Sequence, residues 1–225
     1  MTPWTKWTAG LVGVVVVSLV ALSPAASAAQ RDKVDVLDGA TSSRELKPVT
    51  GAFSMLERTD RGITTKLRTR ARPGHAYTLW YVIFNAPQNC SDGACADDDV
   101  FADPSDHSAG FNPAQIAATR VSVVWSGAGA VANPAGRLKL DGALGKGEVP
   151  GGPAQVAIGR GEDGAVVPLG VVTGLEDPHR AVIIAVVQDH GVAHDDPELL
   201  EQQTTSFQGA CNPECEDVQT AVHAP

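Results

Sequence analysis

Two runs in this chain restrict its fold more than any other feature. Ala76-Tyr77-Thr78-Leu79-Trp80-Tyr81-Val82-Ile83-Phe84-Asn85 and Ala181-Val182-Ile183-Ile184-Ala185-Val186-Val187 are rich in aromatic and β-branched residues and are apolar on both faces. They read as strands buried on both sides. Such strands are usual in parallel sheets covered by helices. That arrangement needs long amphipathic helices between strands, and the chain offers two short helical segments. The expectation is therefore an all-β, antiparallel β-sandwich of about seven or eight strands with one or two short helices. Ala76–Asn85 and Ala181–Gln188 form its centre, with loops or the helix near Leu199 over the outer face.

The remaining strands alternate. Ala52–Glu57 and Ile63–Thr69 predict a hairpin about Thr59-Asp60-Arg61-Gly62, with Ile63, Thr65 and Leu67 on one face and Thr64, Lys66 and Arg68 on the other. Thr119–Ser126 and Arg137–Asp141 read as further strands, the first closed by Gly127-Ala128-Gly129. Asp141-Gly142 and Lys146-Gly147 read as turns. Gln155–Ile158 and Ala165–Leu169 form a second hairpin candidate. Asn112-Pro113 predicts a capped short helix, and Asp195 or Asp196 before Pro197 predicts another through Gln202.

The first residues read as an export signal. Lys6 gives a positive start, Ala9–Leu22 an apolar stretch, and Ala26-Ser27-Ala28 a small-x-small cleavage pattern after Pro24. The apolar stretch is about 14 residues, short of the roughly 20 that span a bilayer. The expected division is 1–28 signal peptide, 29–47 loose leader with one short strand near Val34, 48–215 sandwich domain and 216–225 flexible tail. No membrane span is expected after cleavage.

An exported chain with an even number of cysteines implies disulfides. Cys90, Cys95, Cys211 and Cys215 allow three pairings. Local bridges restrict the unfolded chain by about 2 kcal/mol each, and bridges joining the two clusters by about 5. The segments Ser-Asp-Gly-Ala and Asn-Pro-Glu favour turns, so the local pairs Cys90–Cys95 and Cys211–Cys215 are expected. The spacings suit neither a zinc site nor a C-x-x-C redox motif.

The formal net charge is -9. Such a surface repels phosphate backbones, so nucleic acid is not an expected partner. G-x-S-x-G and H-E-x-x-H are absent. Gly159-Arg160-Gly161-Glu162-Asp163-Gly164 matches a dinucleotide fingerprint only in its glycines; acidic residues in the loop and Val166-Val167-Pro168 after it read as a hairpin turn. Asp97-Asp98-Asp99, with Asp103 and Asp106, lacks EF-hand spacing and reads as a solvated acidic loop. The densest group of chemistry-bearing residues is Asp189-His190-Gly191-Val192-Ala193-His194-Asp195-Asp196. Asp189, His190, His194 and Asp195 are the candidate ligands for a divalent metal; the alternative is a polar loop that caps the next helix.

Tyr77–Asn85 with Cys90, and Val187–Gly191 with Gln202–Cys211, resemble secreted bacterial proteins of actinobacterial type with no characterised activity. The resemblance spans residues 50–215 and implies secretion and a shared cysteine-bearing scaffold; it implies no activity. Taken together, the chain reads as a secreted or envelope-associated, non-enzymatic binding or structural module with an extracellular partner. A metal-binding protein using the His190/His194 loop and an extracellular hydrolase are the alternatives.

Overall fold

The structure, a computed structural model, describes residues 29–39, 46–103, 110–150, 158–160, 166–168, 173–207 and 209–225. The expected signal peptide lies outside the described residues. The elements in order are β1 (Gln30–Val34), β2 (Leu37–Asp38), β3 (Lys47–Pro48), β4 (Phe53–Thr59), β5 (Gly62–Arg70), β6 (His75–Phe84), α1 (Pro113–Thr119), β7 (Val121–Val131), β8 (Arg137–Gly145), β9 (Ile158–Arg160), β10 (Val166–Pro168), β11 (Val182–Val192), α2 (Pro197–Thr205) and β12 (Glu216–His223).

Two antiparallel sheets face each other, one of four strands ordered β1-β4-β5-β8 and one of six ordered β3-β2-β12-β11-β6-β7. The all-β sandwich expected from the sequence is what forms. The two doubly apolar runs, β6 and β11, pair directly at its centre, with Ile183 opposite Ile83. Their alternate side chains enter two different cores. Tyr77, Leu79, Tyr81, Ile83, Ile183 and Val187 meet Leu56, Leu67, Leu138 and Leu140 between the sheets. Trp80, Phe84, Val182 and Ile184 point the other way, against Cys90, Val100 and Ile116. This second core roofs the six-stranded sheet with the long loop after β6, as its apolar outer face requires. Three 3-10 turns, Pro87–Asn89, Ser91–Gly93 and Asp97–Asp99, fold that loop. Phe207, just past α2, meets Trp80 edge-on at 5.1 Å.

Both disulfides are local: Cys90–Cys95 and Cys211–Cys215. Both helices start where expected. Asn112 accepts from the Gln115 amide, and Asp196 from the amides of Glu198 and Leu199. β9 and β10 pair antiparallel where the second hairpin is expected, but Gly159 and Arg160, read as turn, belong to β9; residues 155–157, 161–165 and 169 lie outside the described residues.

Four further expectations need correction. Thr119 ends α1, and Arg120 takes a left-handed conformation before β7 begins at Val121. Gly127 does not end β7. The register slips so that Leu79 faces Ala128 while Trp80 faces Trp125, and the strand continues to Val131. Asp141-Gly142 lies inside β8; a Cβ on Gly142 would come within 2.6 Å of the Tyr81 hydroxyl, so glycine serves close packing there. Finally, the residues assigned to a loose leader and a flexible tail build strands. β1 pairs with β4 along its length, and β12 is inserted between β2 and β11. Among the described residues, no helix is long and apolar enough to cross a membrane.

Candidate functional site

The candidate ligands at 189–196 begin on β11, where successive side chains leave opposite faces of the sheet. Asp189 therefore enters the layer between the sheets and His190 the outer core. Asp189 receives the Tyr77 hydroxyl at 3.1 Å and faces His75 Nδ1 at 3.0 Å. Its Oδ1 also accepts the Gly191 amide at 2.7 Å. Burial, reinforced by the Asp189 charge, pushes the Tyr77 hydroxyl pKa well above its ordinary value.

His190 is fully buried. The indole of Trp80 donates to Thr78 Oγ1 at 2.9 Å, which leaves the Thr78 proton for His190 Nε2 at 2.8 Å. His190 Nδ1 lies 3.1 Å from the Gly209 carbonyl, which only accepts. These partners fix a neutral ring with its proton on Nδ1. Burial holds its pKa below the ordinary histidine range. Gln203, also fully buried, donates to the carbonyls of His190 and Val192 and accepts the His194 amide. α2 is thereby tied to β11. Asp195 is exposed and belongs to the approach to α2.

Asp189, His190, His194 and Asp195 therefore do not share a focus. Among the described residues, metal-ligating atoms gather in two other triples: His190 with Cys211 and Cys215, and Cys90 with Cys95 and Asp99. In each, two of the three are joined by a disulfide. Cys215 Sγ lies 3.3 Å from His190 Nδ1.

Asp99 is no solvated acid. It is fully buried, and its carboxylate accepts from the Ser91 amide and hydroxyl, the Gln115 side chain and the Ala96 amide. Burial raises its pKa, but these donors outweigh it and hold the carboxyl below its ordinary range. Its role is to organise the disulfide loop that covers the outer core. Asp106 lies outside the described residues.

The cluster that sequence reasoning missed lies at the opposite end of the sandwich from Asp189. His223 of β12 is fully buried, with Nδ1 2.5 Å from Asp32 Oδ2 and Nε2 2.8 Å from Ser54 Oγ. The carboxylate accepts, so Nδ1 carries the proton and Ser54 donates to Nε2. Burial again depresses the histidine pKa, against the opposing pull of Asp32. The order of atoms is that of a hydrolase triad. Ser54, however, is completely buried, so its hydroxyl has no face open to a substrate carbonyl. Beside it, the fully buried Arg58 donates to the carbonyls of Pro178, Ala181, His223 and Ala224. The one sequence signal for this cluster was the alternation of Val218, Thr220 and Val222 with Gln219, Ala221 and His223, which marks a strand.

Compared with known protein families, curated proteins and solved structures, the chain matches none.

Proposed function

We propose that this chain is a secreted, non-enzymatic binding module of the extracellular space or cell envelope. One observation carries the reading: among the described residues, the histidine clusters at Asp189, His190 and His223 are turned inward and spent on the scaffold, and the remaining pair, His179 with Asp60, is an exposed surface contact. His190 joins β6 to the segment at Gly209, His223 joins β12 to β4 and β1, and Asp189 joins β11 to the start of β6. Two disulfides in a small β-sandwich accord with an oxidising compartment, as does the export pattern at 1–28.

The test has two parts. The mature protein is expected to sediment with isolated cell envelopes and to hydrolyse no ester, peptide or glycoside in a broad screen. Turnover that disappears in Ser54→Ala, while the variant keeps its circular dichroism spectrum, would establish the hydrolase reading instead.

A second reading rests on the 3.3 Å approach of Cys215 to His190. A dithiol reductant would convert the Cys211–Cys215 bridge to two thiols, taking the bridge's place as the oxidised species. Two thiolates and one imidazole would then suit zinc once the ring proton moves from Nδ1 to Nε2, giving up the Gly209 contact. Stoichiometric zinc uptake only after reduction, lost in His190→Ala, would support it; no uptake in either state would remove it.

A further inference from the structure

The outer face of the four-stranded sheet concentrates positive charge in an acidic protein. Alternation along β1, β4, β5 and β8 sends Arg31, Lys33, Lys66, Arg68, Arg70, Arg137 and Lys139 outward, while Leu56, Thr65, Leu67, Leu138 and Leu140 are buried. Among the described residues, Glu57 and Asp141 oppose them from the strands, and the Glu148 carboxylate lies over Gly145 at the far end of β8. Among the described residues, seven of the chain's 17 Lys and Arg thus share one surface with three of its 26 Asp and Glu, although the whole chain is at -9.

The arrangement is costly as it stands. Arg68 lies directly opposite Lys139, and Arg70 directly opposite Arg137. Like charges in direct cross-strand register destabilise a sheet. Asp141 relieves part of this by pairing with Arg68 at 2.6 Å, and Arg31 pairs with Glu57 at 2.9 Å. Lys33 sits over the Phe53 ring at 4.4 Å. Arg70, Arg137 and Lys139 remain as an exposed cationic corner.

From that corner the charges run diagonally over Arg68 and Lys66 to Lys33 and Arg31. On sheet spacings of about 4.8 Å between strands and about 6.7 Å between same-face residues, the track is roughly 25 Å long. We propose that this track is a docking surface for a flexible, linear phosphate polymer. This rests on the binding-module reading and names the face and the chemistry of its partner. Anionic groups along one strand would sit between the opposed cations and relieve their repulsion. A flexible strand follows the diagonal of a twisted sheet, whereas a bilayer plane touches part of it. The half-buried Phe53 and Met55 offer no protruding wedge for lipid. A rigid duplex would bring its phosphates against the acidic remainder of the protein.

The experiment titrates the mature full-length protein with long-chain inorganic polyphosphate at several salt concentrations. Saturable binding that weakens steeply with salt is expected. The combined variant Arg70→Gln, Arg137→Gln, Lys139→Gln is expected to bind at least about tenfold more weakly, with a log–log salt slope shallower by about 2. Its melting temperature should stay the same or rise. The control Arg61→Gln, Lys146→Gln, Arg180→Gln removes as much charge from exposed positions off the face and should retain nearly all binding. Equal loss in both variants, no loss in the first, or tighter binding of anionic vesicles or duplex DNA than of polyphosphate would overturn the proposal. If wild type and the first variant sediment equally with cell envelopes, the face is wrong and the module reading stands. If neither sediments while polyphosphate binding holds, the module reading alone fails.

Discussion

His190 and His223 are both fully buried, and both rings accept from a hydroxyl and donate through Nδ1. They differ in what receives that proton. For His190 it is a neutral backbone carbonyl; for His223 it is the Asp32 carboxylate, with the Arg58 guanidinium close by. The His190 ring therefore bonds only to dipoles, with the buried Asp189 carboxylate on the other face of the sheet, whereas the His223 ring bonds directly to charge. The difference should appear in stability: truncating one member of a buried charged group leaves the other uncompensated, while truncating a neutral member costs one unmade hydrogen bond.

The sharpest break of that comparison is Arg58→Ala. It orphans four carbonyls and removes the cation facing Asp32, so a loss of about 3–5 kcal/mol is expected in urea unfolding. Gln203→Ala, the neutral counterpart beside His190, should lose about 1–3 kcal/mol. Equal losses would mean that the charge at the His223 end adds nothing.

The hydroxyls give a second, smaller contrast. Thr78→Val leaves His190 Nε2 and Trp80 Nε1 without partners; Ser54→Ala leaves only His223 Nε2. With each orphan worth about 1–3 kcal/mol, Thr78→Val is expected to lower the melting temperature further than Ser54→Ala. The reverse order would show that the Asp32–His223 arm depends on its serine more than hydrogen-bond counting allows.

The smallest effect is in pH. Both folded histidines have pKa values below the ordinary histidine value. Between about 6.5 and the lower folded values, the unfolded chain holds more protons than the folded one. Stability should be complete above that window and fall as pH drops through it, by up to about 1.4 kcal/mol per pH unit for each histidine. His190→Gln and His223→Gln should each flatten the slope between pH 6.5 and 5, and a slope indifferent to both would place the titration elsewhere.

What was legible in the sequence was local. Alternation marked β4 and β5, doubly apolar runs marked β6 and β11, and Asn112 and Asp196 marked two helix starts, because each signal lies within a few residues. The turn-forming segments between the cysteines anticipated both disulfides. The dense 189–196 stretch drew attention, yet adjacency along a strand is what separates Asp189 from His190. Gly142 read as a turn because the approaching Tyr81 hydroxyl is 61 positions away in the chain. The Asp32–His223 contact spans 191 positions, and no window along the text contains it. A polar segment such as Gln30–Val34 gains strand structure only from the neighbour that pairs with it.

The place of β12 has a bearing on biogenesis. Eight residues near the far end of the chain occupy the middle of the larger sheet and supply the imidazole that clasps β1. A chain that folds in the order of its sequence would hold β4, β5, β6 and β11 with a slot still open beside β11. Closure would wait for β12, so the order of the sheet itself sets when the two layers can seal.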